Sequence, residues 1–239
     1  MKLYAYCLVE DLDTLDVPVR GIDGAAVRLL KIDEFGVLVS DGESDAFPLT
    51  KESAVAHDTV VRSVFDRRTL LPFRFGSVVS EQQLRHYVAT YKPALKKSLA
   101  HVRGCVQMDL KIIWQYTKPA AGPLPEEDRG PGTTFLEKKR RELLGDERQV
   151  AEKTELSNLL HKELGDLLRD EQIELQPSKT AVLAAVFHLI ERANTARYRE
   201  NVQEIRNKRP DLKIRLSGPW PPYSFVNIEL EFKSQFGVS

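Results

Sequence analysis

A stretch rich in proline and glycine near the middle of the chain most limits what this sequence can fold into. Residues 118–132 are crowded with residues that interrupt helices and strands, and they contain almost no large apolar side chain. Because such a stretch cannot form part of a hydrophobic core, it divides the chain. The 239 residues leave enough chain on either side for a domain of ordinary size. We therefore predict an α+β protein of two domains.

The predicted organisation has four parts: an N-terminal domain, a linker, a C-terminal α+β domain and an extended tail. Their ranges are 1–118, 119–132, 133–217 and 218–239. The charge distribution agrees with this division, because opposite charges nearly balance within the predicted N-terminal domain. Residues 1–50 hold 4 basic and 10 acidic side chains, and residues 51–118 hold 12 basic and 5 acidic ones. The formal net charge of the whole chain is zero. A protein dedicated to nucleic acid needs a basic excess, so we predict no nucleic-acid partner.

In the first domain the residue patterns predict a strand, a hairpin, two helices and a final strand. Short apolar runs bounded by acidic or turn residues indicate the strands, and apolar residues spaced three and four apart indicate the helices. The predicted strands cover residues 3–9, 27–32, 35–40 and 105–116, and the helices cover 51 to about 68 and 80–104. Ser80 and Gln83 form a capping box for the second helix, whose apolar stripe includes Tyr91 and which Pro93 should kink or restart. We predict a ferredoxin-like antiparallel sheet with both helices on one face.

The second domain is predicted to begin with a long, charge-rich helix. Thr134 and Glu137 form a capping box at its start, and leucines from Leu136 to Leu167 form its apolar stripe, with a break allowed near Gly145. A buried strand, a second helix, a half-exposed strand and a further alternating segment follow. They cover residues 181–190, 193–209, 213–216 and 226–232.

Several function classes are excluded by the motifs that the sequence lacks. It has no phosphate-binding loop, dinucleotide fingerprint, nucleophile elbow, zinc-protease motif or EF-hand, so we predict no enzyme, no catalytic residue, no cofactor and no metal site. The longest apolar run, residues 181–190, is interrupted by His188 and is far shorter than the roughly 20 residues of a membrane span. We expect a cytoplasmic protein in which Cys7 and Cys105 are buried thiols.

His57 and Arg74 have two interpretations. His57 lies on the apolar face of the first predicted helix, and Arg74 follows in the segment Leu71-Pro72-Phe73-Arg74-Phe75-Gly76. If both side chains reached one pocket, they would form a small-ligand site or an acid–base pair. The favoured interpretation is a core histidine and an arginine that holds the following turn, because spacing identifies no partner acid or nucleophile.

The proline-rich aromatic tail also has two interpretations. Prolines keep it out of a helix and should make it stiff and extended. It is either a strap that buries its aromatic side chains on the preceding domain, which we favour, or a preorganised docking strip for a partner. Its candidate residues are Pro219, Trp220, Pro221, Pro222, Tyr223 and Phe225.

Four sequence blocks together resemble the GvpF/GvpL gas vesicle protein family. The first is the tyrosine-rich first strand, residues 3–9. The others are Leu71-Pro72-Phe73-Arg74-Phe75-Gly76 after the helix that carries His57, Gly132-Thr133-Thr134-Phe135-Leu136-Glu137-Lys138-Lys139-Arg140, and Gly218-Pro219-Trp220-Pro221-Pro222-Tyr223-Ser224-Phe225. The motif residues carried over are His57, Pro72, Arg74, Phe75, Gly76, Thr134 and Leu136. Gln107 and Phe135 depart from the family's pattern, in which an acid and a tyrosine are common.

The resemblance implies a non-enzymatic accessory protein of gas vesicle formation. It implies a two-domain α+β fold with a ferredoxin-like N-terminal domain, and a location in the cytoplasm in association with gas vesicles. The implied partners are the small hydrophobic shell protein, bound during nucleation or assembly, and other gas vesicle accessory proteins. The alternative is a ferredoxin-like domain that binds or transforms a small ligand through His57 and Arg74.

Overall fold

The computed structural model describes residues 2–10, 19–42, 50–115, 151, 153–177 and 181–226. These residues divide into two compact units. The first unit contains the described residues up to Gln107 together with those from Pro219 onward, and the second runs from Met108 to Gly218. The predicted linker, residues 119–132, lies outside the described part of the chain, so the predicted domain boundaries stay predictions.

The first unit is built on a five-stranded antiparallel sheet and two helices. The strands are β1 (Lys2–Val9), β2 (Val27–Ile32), β3 (Phe35–Gly42), β4 (Leu70–Pro72) and β5 (Val78–Ser80), and the helices are α1 (Lys51–Phe65) and α2 (Glu81–Val102). Hydrogen-bonded strands follow the order β2-β3-β1-β4, and the short β5 also pairs with β1. Residues 3–9 are all buried, so both faces of β1 are covered. Cys7, on this strand, is a buried free thiol, as predicted.

A two-residue loop sets the register of the β2–β3 hairpin, which the sequence predicted. Asp33 and Glu34 form the loop, and Ile32 pairs with Phe35 beside it. Asp33 has a φ of 53°, a left-handed conformation that aspartate tolerates better than a bulky residue does. Short polar residues at the loop therefore fix the pairing of two largely apolar strands.

Side-chain caps begin both helices of the first unit. Before α1, Thr50 Oγ1 accepts a hydrogen bond from the Ser53 amide at 3.2 Å. Before α2, Ser80 Oγ accepts from the Gln83 amide at 3.2 Å, and Gln83 Oε1 accepts from the Ser80 amide at 2.9 Å. The second arrangement confirms the predicted capping box, which satisfies amides that have no partner inside the helix.

Two details of these helices differ from prediction. α1 ends at Phe65 rather than near Arg68, whereas Pro93, predicted to kink or restart α2, lies inside one continuous helix, so α2 does not restart there. Tyr91, predicted to lie in the apolar stripe, is instead 50% exposed. Its ring packs against Tyr87 one turn earlier, with ring centroids 4.8 Å apart, so the two aromatic side chains cover each other at the helix surface.

The second unit is a four-stranded antiparallel sheet with two helices. Its strands are β6 (Cys105–Gln115), β7 (Leu168–Pro177), β8 (Ala181–Glu191) and β9 (Leu212–Trp220), and its helices are α3, described over residues 153–164, and α4 (Thr195–Lys208). The first residues of β6, up to Gln107, and the last of β9, from Pro219, belong to the first unit. The strand order is β7-β8-β6-β9. A strand-helix-strand-strand-helix-strand chain in this order is the ferredoxin-like arrangement. That arrangement belongs to the second unit and not to the first, where the hairpin precedes both helices.

Several predictions for the second unit can be compared with the structure. The apolar run at residues 181–190 is strand β8, as its length and the preceding proline predicted. Strand β7 was not predicted, because its charged residues look like a continuation of the preceding helix. β9 extends to Trp220, so the tail begins as a strand rather than as a polyproline-like segment. Pro219 fits there because β9 is an edge strand, where a missing amide donor is tolerated.

Two predicted motif residues lie outside the described residues. These are Thr134 and Leu136, together with the predicted capping box and the break near Gly145. The later leucines of the same predicted stripe are described, and Leu156, Leu160 and Leu164 are buried.

Candidate functional site

The buried polar side chains of the first unit centre on two tyrosines of β1 and on His57 of α1. We call Tyr4, Tyr6 and His57 the Tyr–His cluster. Tyr4 Oη lies 3.0 Å from His57 Nδ1 and accepts a hydrogen bond from the Gly76 amide at 2.8 Å. Burial raises the pKa of Tyr4, so its hydroxyl stays protonated and can donate to His57. The arrangement connects β1, α1 and the turn after β4.

His57 is sealed in the interior of the first unit, with 3% of its surface exposed. Burial lowers its pKa from 6.5 to about 4, and the Phe73 backbone and the Asp58 carboxylate offset only part of that effect. Nε2 has no hydrogen-bond partner at bonding distance among the described residues. A neutral, sealed imidazole has no solvent-accessible position from which to exchange protons with a substrate.

Tyr6 supports the neighbouring loop. Its hydroxyl lies 2.9 Å from Ser40 Oγ and accepts from the Ile22 amide at 3.0 Å. The preceding residue is Gly21, where an added Cβ would lie 2.1 Å from Tyr6 Oη. Glycine is therefore required at this position by the close approach of the loop to the tyrosine. The role of Tyr6 is to hold the loop against the sheet.

The segment that follows β4 leaves Phe75 half-exposed and Arg74 exposed. Phe73 is fully buried, and its amide donates to the Tyr6 carbonyl at 2.9 Å. The Arg74 carbonyl accepts from Ser77 Oγ at 2.7 Å, and Gly76 has a φ of 90°, so a tight turn follows. Phe75 is 37% exposed and packs edge-on against His57, with centroids 5.9 Å apart.

His57 and Arg74 therefore do not share an open pocket. The structure brings His57 to Tyr4 in the interior and places the Arg74 side chain at the surface. Pro72 is buried in β4, and Gly76 serves as the amide donor to Tyr4.

The C-terminal segment, residues 219–225, packs on the first unit. The guanidinium of Arg62 on α1 lies 4.3 Å from the centroid of the Trp220 ring and is held by Asp58, with Nε 2.6 Å from Oδ2. Such stacking of a cation on an indole is a favourable contact. Pro221, Pro222 and Phe225 are buried, and residues 223–225 form a single 3₁₀ turn. Burial raises the pKa of Tyr223, with Asp58 adding to the effect.

The side chain of Gln107 holds the C-terminal segment by a hydrogen bond to the backbone of that segment. Its Oε1 accepts a hydrogen bond from the Ser224 amide at 2.8 Å, and the side chain is almost fully buried. The family resemblance places an acid at this position, and a carboxylate oxygen could accept the same bond. What this position needs is an acceptor rather than a charge.

Substitutions at Gln107 test whether this position needs a hydrogen-bond acceptor for the Ser224 amide. We expect Gln107→Met to lower the free energy of unfolding by about 1–2 kcal/mol, because the partly buried Ser224 amide loses its acceptor. We expect Gln107→Glu to retain the bond and to keep Ser224 protected from amide exchange. Thermal unfolding and residue-resolved hydrogen exchange are the measurements. Equal behaviour of the two variants would show that the contact does not hold the segment.

A second buried polar network, which the sequence analysis missed, lies in the second unit. His188 on β8 is fully buried, with Nε2 2.9 Å from Glu171 Oε2 on β7 and Nδ1 2.6 Å from Tyr198 Oη on α4. Ser157 Oγ on α3 donates to Glu171 Oε1 at 2.6 Å. The sequence signal was His188 itself, a polar residue in the middle of the longest apolar run.

The ionisation of this network is set by burial and by its hydrogen bonds. Burial alone would raise the pKa of Glu171, but the hydrogen bonds from His188 and Ser157 and the nearby imidazoles outweigh it and hold the pKa below its usual value. Burial raises the pKa of Tyr198, and the charges of Asp109 and Glu171 add to this. A carboxylate is therefore held in the interior by the hydrogen bonds that it accepts from His188 and Ser157. The nearby His161 is half-exposed, with Nδ1 3.8 Å from Glu171 Oε1.

Comparison with known proteins identifies the family. The chain matches the family model described as Gas vesicle synthesis protein GvpL/GvpF over residues 2–227. The chain belongs to the GvpL/GvpF family. This is a family of gas vesicle structural proteins and not of enzymes.

Individual relatives and solved structures agree with the GvpL/GvpF assignment. Gas vesicle protein L2 of Halobacterium salinarum is 27% identical over an alignment of 259 positions, gaps included, which covers 93% of this chain and 90% of that protein. Gas vesicle protein F of Microcystis aeruginosa is 23% identical, with 95% and 98% covered. The crystal structure of GvpF from Anabaena sp. PCC7120 gives a TM-score of 0.71 at 23% identity, with 95% and 96% covered. That of GvpF from Microcystis aeruginosa gives 0.72 at 21%, with 94% and 98% covered, so both show the shared fold.

Among the described residues, no group of three or more His, Cys, Asp or Glu side chains is placed to hold a metal ion. No described helix combines the length and the apolar character needed to cross a bilayer.

Proposed function

We propose that this chain is a cytoplasmic accessory protein of gas vesicle formation that binds the small hydrophobic shell protein during nucleation or assembly. The observation that carries the proposal is the family match over residues 2–227. A shell protein with an apolar face exposed before assembly is prone to aggregate. A protein that covers this face, or holds the first subunits in position, would prevent that aggregation.

The geometry of the first unit favours binding over catalysis. His57 is sealed and neutral, and Arg74 lies at the surface, so the pocket required by the ligand-binding alternative is not formed by these two side chains. Trp220 and Tyr223 pack on their own unit. A Trp220→Ala/Tyr223→Ala variant would therefore report on folding as well as on binding. Open sheet edges are better candidates for a partner surface.

Co-expression with the shell protein encoded in the same genome tests the proposal. We expect the shell protein to co-purify with this chain and to remain in the soluble fraction, because its apolar face is covered. Without this chain, we expect the shell protein to be found in the insoluble fraction. Deletion of the gene should remove vesicles from electron micrographs of the cells. A shell protein that never co-purifies, together with normal vesicles in the deletion strain, would contradict the proposed function.

A further inference from the structure

We propose that one face of the second sheet binds the same face of a second copy of this chain. Helices α3 and α4 cover the opposite face of that sheet, and we call the face turned away from them the open face. Six side chains define it: Glu174 on β7, Leu183 and Phe187 on β8, Ile113 on β6, and Lys213 and Arg215 on β9. The inference concerns self-association, so it does not rest on the proposed function.

The side chains of β7 and β8 that reach the open face follow from the buried network. Glu171 on β7 bonds Ser157 on α3, and His188 on β8 bonds Tyr198 on α4, so Glu171 and His188 point toward the helices. They also lie opposite each other in the β7–β8 register. Because successive side chains of a strand alternate between faces, residues 172, 174 and 176 of β7 and residues 183, 185 and 187 of β8 lie on the open face.

Strands β6 and β9 show the same alternation. Leu212 is buried, whereas Lys213 and Arg215 are exposed. Ile112 is buried, whereas Ile113 is 39% exposed. The buried residues belong to the core beneath the helices, so their exposed neighbours lie on the open face.

The exposed parts of the four strands lie at the same end of the sheet. Glu174 of β7 pairs with Ala185 of β8. Neighbouring strands run antiparallel, so the last residues of β6 lie beside the first residues of β8 and of β9. The guanidinium carbon of Arg209, just before β9, lies 5.8 Å from the ring centroid of Trp114, near the end of β6, which agrees with this alignment. The open face therefore presents one continuous patch.

The middle of the patch is apolar. Leu183 is 38% exposed on β8, Ile113 is similarly exposed on the adjacent β6, and Phe187 is half-exposed. Five large apolar side chains are exposed in the described part of the chain, and two of them, Leu183 and Ile113, lie on these neighbouring central strands. Exposed apolar side chains that are grouped in this way are typical of a surface that packs on another protein surface.

Charges of opposite sign flank the apolar middle. Glu174 lies on β7, at one edge of the sheet, and Lys213 and Arg215 lie on β9, at the other edge. Lys111, exposed on β6, extends the basic side. Within the described ranges, none of these four side chains forms an ion pair. The patch is therefore acidic at one edge and basic at the other, and both sets of charges are available to a partner.

A second copy of the chain has the complementary charges. A two-fold axis parallel to the strands, between two stacked open faces, places β7 of each copy over β9 of the other and β8 over β6. Glu174 then meets Lys213 and Arg215 at two equivalent contacts, with apolar side chains between them. A two-fold axis across the strands would instead bring Glu174 against itself. Aligned stacking of two sheets is a common packing, and the zero formal net charge opposes it with no long-range repulsion.

The size of the patch predicts a weak dimer. A face four strands wide, at about 4.8 Å per strand, and about five residues long, at about 3.3 Å per residue, has a projected area of roughly 300 Å². A standard interface buries about 800 Å² of accessible surface on each partner. We therefore expect a dissociation constant of about 10–100 µM.

Sedimentation equilibrium of the purified full chain, at concentrations from about 1 to about 300 µM, tests for this dimer. We expect the dissociation constant to rise about 10-fold or more with Glu174→Lys, and separately with Lys213→Glu/Arg215→Glu, because like charges then meet at both contacts. Glu200→Lys changes the net charge as Glu174→Lys does, but at an exposed position of α4 on the other side of the sheet. This control should dimerise as the wild type does.

An equimolar mixture of the two charge-reversed variants tests the arrangement of the copies. Glu174→Lys is basic at both edges of the patch, and Lys213→Glu/Arg215→Glu is acidic at both edges. Neither variant complements itself, but each complements the other at both contacts. We expect the mixture to dimerise with a dissociation constant within about 3-fold of the wild-type value, which would also show that both variants fold.

The other outcomes would overturn the inference. A wild-type chain that stays monomeric over the whole concentration range has no such dimer, and a dimer that ignores both charge reversals uses another surface. A mixture that stays monomeric would rule out the proposed pairing of edges. If a monomeric chain instead binds the shell protein, or an oligouridylate, and loses that binding with Phe187→Ser, the open face belongs to that partner. Binding of the shell protein there would leave the proposed function standing.

Discussion

Replacing His188 by leucine is expected to lower the free energy of unfolding of the second unit by about 3 kcal/mol, because the buried Glu171 carboxylate is left without one of its hydrogen-bond donors. The volume of the two side chains is similar, so the effect should come from lost hydrogen bonds and not from a cavity. In the variant, the Glu171 carboxylate keeps its buried position but loses the donor at 2.9 Å. Tyr198 loses the nitrogen 2.6 Å from its hydroxyl at the same time.

The network is sensitive because it joins four elements through one carboxylate. Ser157 on α3, Glu171 on β7, His188 on β8 and Tyr198 on α4 are connected in a continuous chain of hydrogen bonds. Only 12% of the Glu171 side chain is exposed, so water replaces little of what is lost. A partly satisfied buried network is less favourable than either a complete network or an apolar core.

A double variant provides the decisive control. His188→Leu/Glu171→Leu removes the carboxylate together with its donor and should recover much of the loss, because no buried charge is then left without a partner. Arg197→Ala breaks the ion pair with Asp166, whose side chains are 60% and 56% exposed, and should cost under about 1 kcal/mol. Urea unfolding at pH 7 gives all three values. If the double variant is no more stable than His188→Leu, the penalty does not arise from an unpaired buried charge.

Much of the local structure could be predicted from short-range patterns. The run of residues 3–9 is a strand because it is apolar throughout, and the capping box at Ser80 fixes the start of α2. Strand order could not be predicted in the same way. The prediction of a ferredoxin-like arrangement in the first unit was wrong, because that arrangement is formed by the strands of the second unit. It depends on the pairing of β6 with β8 and β9, which joins residues far apart in the chain and is encoded by no local pattern.

The candidate site shows the same division between local and long-range information. His57 was placed correctly on the apolar face of α1, and its burial follows from that position. Its hydrogen-bond partner Tyr4 is 53 residues away and could not be identified by spacing. His188 interrupts an apolar run and so signals a buried polar group, but nothing in the charge-rich segment around Glu171 distinguishes it from its neighbours. Glu171 is brought to His188 by the β7–β8 register, in which the two residues lie directly opposite each other.

Acidification is expected to destabilise the first unit through His57. The imidazole takes up a proton with a pKa of 6.5 when exposed and with a pKa of about 4 in the fold, because burial disfavours the charged form. Between these two values the unfolded state binds more protons than the folded state, so stability falls as the pH falls. At 1.36 kcal/mol per pKa unit, the free energy of unfolding falls by about 3 kcal/mol from pH 6.5 to pH 4 because of His57. Above pH 6.5 the imidazole is neutral in both the folded and the unfolded state, and this loss of stability is absent.

The comparison with His57→Gln isolates this contribution. Glutamine does not titrate, and its side-chain oxygen offers Tyr4 an acceptor in place of Nδ1, which lies 3.0 Å from the hydroxyl in the wild type. Carboxylates that titrate near pH 4 are present in both proteins, so their effects cancel in the difference. We expect the wild type to lose about 3 kcal/mol more than the variant from pH 6.5 to pH 4, measured by urea unfolding at each pH. His86→Gln, at an exposed position of α2, controls for removing a histidine. Parallel stability curves for the wild type and His57→Gln would mean that water reaches His57 in the folded state. That result would support the alternative of a small-ligand pocket that includes His57.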